Sequence, residues 1–149
     1  MKPSTKAINL IKEFEGLSLQ SYLCPAGKWT IGYGTTRWLD GKPIEAGQTI
    51  TMDTAEKLLA HNVEAFAKRI PDLNLNQNQF DAIVSFCYNI GAWAFVNSTM
   101  HRKIKANPND SGIRKEFMKW TKARKNGKMV ELRGLIRRRQ AEADLYEKK

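Results

Sequence analysis

Three side chains near the start of the chain have types and spacing suited to acid–base chemistry: Glu15, Cys24 and Thr30, separated by eight and then five residues. Glu15 closes an apolar-periodic run and is followed by Gly16, which sets it at the C-terminal end of a helix. There the backbone dipole places partial negative charge beside the carboxylate, and both this and partial burial in a cleft disfavour the ionised form. A carboxylic acid kept protonated near neutral pH is the proton donor that cleavage of a glycosidic bond requires. Taken alone, a glutamate at a helix end is more often a solvated surface group, so position suggests this chemistry without deciding it. Cys24 is a thiol with a reference pKa of about 8.5, and only a minor fraction is thiolate at neutral pH unless neighbours lower that value.

The elements that must position these groups follow from the pattern. Ser4 or Thr5 caps a helix whose apolar stripe is Ala7, Ile8, Ile11 and Phe14. From Leu19 to Ile50, turn signals at Pro25-Ala26-Gly27, Asp40-Gly41 and Ala46-Gly47 separate short runs, which predicts a small antiparallel sheet. Trp29, Tyr33 and Trp38 lie there and are of a kind to stack on sugar rings, although half of that set serves equally well as core. Everything afterwards reads as helical. Asp53-Thr54-Ala55-Glu56 resembles a capping box opening a long helix that Pro71 ends. Asn76 to Gln79 start a core helix carrying Phe80, Ile83, Val84, Cys87 and Ile90, with a turn at Asn89-Ile90-Gly91. Shorter helices reach Asn107-Pro108 and pass through Phe117 and Trp120. Asn126-Gly127 is a turn, and a last helix runs from about Glu131 to Tyr146. The expected class is α+β: one domain, with a sheet-bearing lobe at about 16–52, a linking helix at 53–70, and helical parts at 1–15 and 71–149. A cleft between the lobes is the natural site.

Composition narrows the partners. A chain of 149 residues buries enough surface to fold without a disulfide framework. The net charge of +10 is uneven, since 1–113 carry 12 basic and 10 acidic groups while 114–149 carry 13 and 5. That favours a polyanion: nucleic acid, an acidic membrane surface or an anionic wall polymer. No nucleic-acid motif is present, so no specific nucleic acid is expected. The uncharged stretch from Ala82 to His101 contains Ser85, Asn89, Gly91, Asn97 and Ser98, too many polar groups for a membrane span. Cys24 and Cys87 match no zinc spacing, and Cys87 reads as an inert core thiol. No metal or cofactor is implied.

Phe14-Glu15-Gly16, then Leu19, Tyr22, Cys24 and Gly27, then Thr30-Ile31-Gly32-Tyr33-Gly34-Thr35 resemble the phage lysozyme family, glycoside hydrolase family 24. Gln79-Phe80-Asp81-Ala82, Phe86 through Gly91, Phe95, Ser98-Thr99 and Gly134-Leu135 with Arg138-Arg139 and Glu142 extend the resemblance over nearly the whole chain. It implies a lysozyme-like fold and a catalytic set of Glu15, Cys24 and Thr30. Glu15 would protonate the oxygen between N-acetylmuramic acid and N-acetylglucosamine, and Thr30 would help position water. Tyr33, Gly34 and Arg138 are the implied substrate-side residues, with Arg138 reaching back to Glu15; for any single arginine of Arg137-Arg138-Arg139, surface solvation is the commoner role. Cys24 stands where many relatives have Asp. Three readings of it stay open: a thiolate base or nucleophile, a residue that only shapes the site, or a degenerate position. A lytic transglycosylase, which needs no second carboxylate, and a non-catalytic basic protein bound to membrane or polyanion are the alternatives.

The resemblance also implies bacterial peptidoglycan as partner, a monomer, synthesis in the host cytoplasm and holin-dependent access to the wall. The basic C-terminal helices are expected to touch anionic membrane weakly. An exposed thiol of low pKa is open to oxidation, whereas a Cys24–Cys87 disulfide is not expected, because one cysteine belongs to the sheet and the other to the core helix.

Overall fold

Helix α1 spans Thr5–Glu15 because Ser4 stops it at one end and Gly16 at the other. The Ser4 hydroxyl accepts from Lys6 N at 3.2 Å, a cap of the kind contributing about 1 kcal/mol. Ser4 is itself tied down: its backbone N–H donates to Asp81 Oδ1 at 2.9 Å, and its hydroxyl donates to Asp81 Oδ2. The computed structural model describes residues 1–149. Strands β1 (Ser18–Leu23) and β2 (Trp29–Gly32) follow, then helices α2 (Met52–Ala67), α3 (Gln77–Ile90), α4 (Ala92–Val96), α5 (Thr99–Ala106) and α6 (Ile113–Phe117). The hairpin β3 (Lys122–Lys125) and β4 (Lys128–Glu131) precedes the last helix, α7 (Arg133–Glu147). The architecture is α+β and lysozyme-like, with seven helices and two small antiparallel sheets.

One hydrophobic cluster holds the helices together. It takes Ala7 and Ile11 from α1, Leu59 and Val63 from α2, nearly every buried apolar residue of α3, and Ala143 and Tyr146 from α7. Helix α3 is its centre and is buried almost all round from Gln79 to Cys87, which explains the charge-free run in the sequence. Phe86 stacks edge-on against Phe95, Phe117 and Trp120, with ring centroids 6.3, 5.2 and 5.8 Å away. No helix is long and apolar enough to cross a membrane.

The N-terminal sheet is smaller than its turn signals suggest. Only β1 and β2 form a ladder, with Tyr22 opposite Thr30 and Leu23 opposite Trp29; isolated bridges Gln20–Thr49, Ile31–Thr35 and Arg37–Pro43 carry the rest.

Local expectations are corrected at four points. Thr51, not Asp53, caps α2, accepting from Thr54 N at 3.2 Å; Asp53 lies inside the helix and pairs with Lys57. α2 stops at Ala67, before Pro71 acts, because the chain there tightens into shorter-range bonds from Arg69 N–H to Phe66 O and from Ile70 N–H to Ala67 O. α3 continues through Asn89 and Ile90 and ends at Gly91, whose φ of 93° is open to glycine and strained for other residues. The largest miss is β3–β4. Lys122-Ala-Arg-Lys and Lys128-Met-Val-Glu carry no apolar alternation, so periodicity does not mark them, and the stretch expected to be helical over 71–149 contains a hairpin. Asn126-Gly127, with φ of 51° and 80°, is the turn that makes them a hairpin.

Candidate active site

Glu15, the last residue of α1, projects into a cleft of about 430 Å³. Gly34, Thr36 and Arg37 come from the sheet side, Asn62, Phe66 and Arg69 from α2 and its end, and Tyr88 and Asn89 from α3. The Glu15 side chain is 21% exposed, so one edge meets solvent while the rest is enclosed.

Its two oxygens have different surroundings. Oε1 accepts from Arg138 Nη1 at 2.7 Å. Oε2 faces Gly34, where an added Cβ would stand 3.2 Å away, and Gly34 also has a φ of 80°. Glycine there satisfies both the left-handed backbone and the close approach. The turn bearing it is closed by Ile31 N–H to Thr35 O at 2.8 Å and Thr35 N–H to Ile31 O at 2.9 Å. α3 and α2 clamp it: the Tyr88 hydroxyl donates to Tyr33 O at 3.1 Å, and Asn62 Nδ2 donates to Thr35 Oγ1 at 3.3 Å. Burial, and then the charge of Glu15, push the Tyr88 phenol well above its usual pKa, so it remains a neutral donor.

Behind Glu15 lies a buried ionic network. Arg138 also donates from Nε to Glu142 Oε2 at 3.2 Å and from Nη2 to Ser85 O at 3.0 Å. Glu142, fully buried, accepts the Ser85 hydroxyl at 2.6 Å and Arg139 Nη1 at 2.6 Å. Arg139 lies over the Phe86 ring at 4.9 Å and donates to Trp120 O at 2.9 Å. It also donates to Asn89 Oδ1, which holds a residue of the cleft wall. Burial draws the Arg139 guanidinium below its usual pKa, with Glu142 acting against that pull.

Cys24 and Thr30 form a second group on the sheet. Cys24 N–H donates to Lys28 O at 2.9 Å, and Gly27 N–H donates to Cys24 O at 2.8 Å, closing the Pro25–Gly27 turn. The Cys24 thiol is lowered from its usual pKa, chiefly by the Lys28 backbone N–H, with help from the Thr30 hydroxyl and the Ala26 N–H and against partial desolvation. Thr30 is 4% exposed, and its hydroxyl donates to the Lys28 carbonyl at 3.1 Å. Neither residue lines the cleft around Glu15. Cys87 is buried beside Glu142, its thiol pushed far up by desolvation, and both cysteines are free.

The fold is shared with known proteins. The phage lysozyme family model matches residues 12–142. The chain belongs to the phage lysozyme family. It is 45% identical to the endolysin of Acyrthosiphon pisum secondary endosymbiont phage 1, with 99% of both chains covered. The endolysin from Escherichia coli O157:H7 phage FAHEc1 superposes with a TM-score of 0.87 at 43% identity, covering 98% of this chain and 93% of that one. The muramidase domain of SpmX from Asticaccaulis excentricus gives 0.84 at 35% identity, with 99% of each covered. By family, this phage lysozyme is an endolysin-type enzyme that lyses peptidoglycan.

The site of this lysozyme differs from the sequence expectation at Tyr33 and extends it in several residues. Tyr33 is 5% exposed and packs in the core, its hydroxyl against Met52 Sδ at 3.8 Å, so its ring has no face for a sugar. Surface solvation describes Arg137, whereas Arg138 and Arg139 are 3% and 1% exposed because Glu142 compensates both. Sequence pattern does not mark Ser85, Asn62 or Tyr88 as site residues, nor the role of Glu142. The signal for the last was in the text: Arg138 and Arg139 precede Glu142 by four and three residues, the two spacings that meet on one helix face.

Proposed function

We propose that this lysozyme hydrolyses the β-1,4 bond between N-acetylmuramic acid and N-acetylglucosamine in peptidoglycan, with Glu15 as general acid, and that it serves a phage in lysing its host. The observation that carries the reading is the split environment of Glu15. Arg138 occupies Oε1 from behind, which leaves Oε2, on the cleft side, as the oxygen to bear and deliver the proton. Protonating the glycosidic oxygen lets the carbon–oxygen bond break, with the oxygen leaving as the sugar hydroxyl and positive charge building on the muramic acid C1. The Arg138 guanidinium then faces the negative charge Glu15 acquires. Water adds to C1 and gives up a proton to a base. Cys24 does not line the pocket around Glu15, but its lowered thiol pKa makes it the base we assign, with Thr30 as the side chain that helps lower it. Access to the wall through a holin and action as a monomer belong to the same reading, as does weak contact with anionic membrane through 114–149.

Mass spectrometry of fragments from purified peptidoglycan tests it. Hydrolysis leaves reducing muramic acid ends; anhydro-muramic ends would replace it with a transglycosylase in which no water is used.

The thiol provides a separate check. Because the Cys24 pKa is lowered, the thiolate fraction rises at lower pH than for free cysteine, so its alkylation by iodoacetamide should have a midpoint below that of a free thiol. Cys87 should stay unlabelled in the folded protein. Thr30→Val should move the Cys24 midpoint up. A midpoint at or above that of free cysteine would remove the thiolate base from the mechanism.

A further inference from the structure

Within the cleft the charged side chains are Glu15, Arg37 and Arg69. Glu15 is already matched by Arg138 from behind, and neither Arg37 nor Arg69 takes part in any ion pair. The open face of the cleft is therefore cationic, with one cation from the sheet side and the other from the end of α2. Both are held. The Arg69 guanidinium lies 5.2 Å over the Phe66 ring, and that ring rests 5.2 Å from Tyr88. That contact holds the guanidinium against the ring. Arg37 is anchored by Nη1 donating to Gly41 O at 2.8 Å, which leaves its remaining donors free. A guanidinium held against a ring or by one nitrogen is prepared to take a planar acceptor in bidentate fashion, with less ordering entropy to lose than a free arginine.

The N-acetylated sugars of a glycan strand are neutral, so two fixed cations contribute little to holding a bare glycan. The anionic groups of peptidoglycan are the free carboxylates of the stem peptides attached to muramic acid. We propose that Arg37 and Arg69 form a peptide-carboxylate subsite, binding stem carboxylates from the sheet side and from the end of α2 while the glycan passes Glu15. The inference rests on the reading that peptidoglycan is the substrate, and it makes these arginines the residues by which the enzyme prefers peptide-bearing glycan.

Co-sedimentation separates binding from cleavage. In a Glu15→Gln background, binding is measured to purified peptidoglycan and to the same material with its free carboxyls coupled to ethanolamine. Adding Arg37→Gln and Arg69→Gln should weaken binding to native peptidoglycan by about tenfold, as expected for losing charge-assisted hydrogen bonds, and should change binding to the capped material little. Lys125→Gln with Lys128→Gln on the β3–β4 hairpin matches the charge change outside the cleft and should weaken native binding less. Equal losses on native and capped material would overturn the proposal, as would an equal loss from the hairpin pair, which would mean general attraction by net charge. The substrate reading fails differently: wild-type enzyme would release no glycan fragments, whatever the arginine variants do in sedimentation.

Discussion

Replacing Glu15 by Gln lowers kcat on peptidoglycan by about 10³-fold, the range expected when a positioned general acid is removed. Gln keeps an oxygen for Arg138 and nearly the same volume, so the 2.7 Å contact and the packing at the end of α1 survive. What goes is the proton on the cleft side. The interaction lost is one made during bond cleavage, so kcat and kcat/KM should fall together with KM little changed. Clearing of outer-membrane-permeabilised Gram-negative cells, with fragment analysis in parallel, reads both values. Clearing that survives the substitution would mean that the basic surface disrupts membrane by itself, and Glu15 would lose its assigned role. Glu15→Asp is the sharper companion. It keeps the acid but draws it back by one methylene from both Arg138 and Gly34, so a loss close to that of Gln shows that reach matters as well as chemistry.

How far such a result was foreseeable differs from residue to residue. The end of α1 was legible because Glu15-Gly16 is a local signal, and the start of α3 because Asn76 to Gln79 stand just before an apolar run. The spacing of Glu15, Cys24 and Thr30 is plain in the sequence, but only the fold shows that Glu15 pairs with Arg138, 123 residues away. Tyr33 misled because an aromatic residue in a turn has the same signature whether its ring faces a cleft or the core. The β3–β4 hairpin misled because two exposed, charged strands leave no hydrophobic period to detect. For Arg137, Arg138 and Arg139 the local text alone does not separate buried from solvated, because three consecutive basic residues resemble a solvated face. What separates them is Glu142, whose burial depends on Ser85 from another helix. Long-range compensation of this kind has no local pattern.

That compensation gives the second large effect. Glu142 is fully buried, and it stands between Arg138 and Arg139, at 3% and 1% exposure. Its carboxylate takes three donors, from Ser85, Arg138 and Arg139. Glu142→Gln removes the only acidic side chain in contact with Arg139, and it leaves Arg138 with Glu15 at the cleft edge as its single carboxylate. Breaking one member of a buried ionic set costs about 3–5 kcal/mol, a large part of the roughly 5–15 kcal/mol that holds a domain folded. For a chain of this size the melting temperature should fall by about 10 °C. Ser85→Ala deletes one hydrogen bond while keeping all charges, so its cost should be smaller, about 1–3 kcal/mol. Removing charge on both sides is the decisive arm. Glu142→Gln combined with Arg139→Met takes away the uncompensated cation and should recover part of the lost stability, less what Trp120 O and Asn89 lose as acceptors. Calorimetry of the three proteins orders these effects. If Glu142→Gln melts with the wild type, the arginines are compensated elsewhere. If it melts low and the folded fraction also turns over slowly at unchanged KM, the same carboxylate that stabilises the helical core also holds Arg138, and through it the proton donor, in line with the cleft.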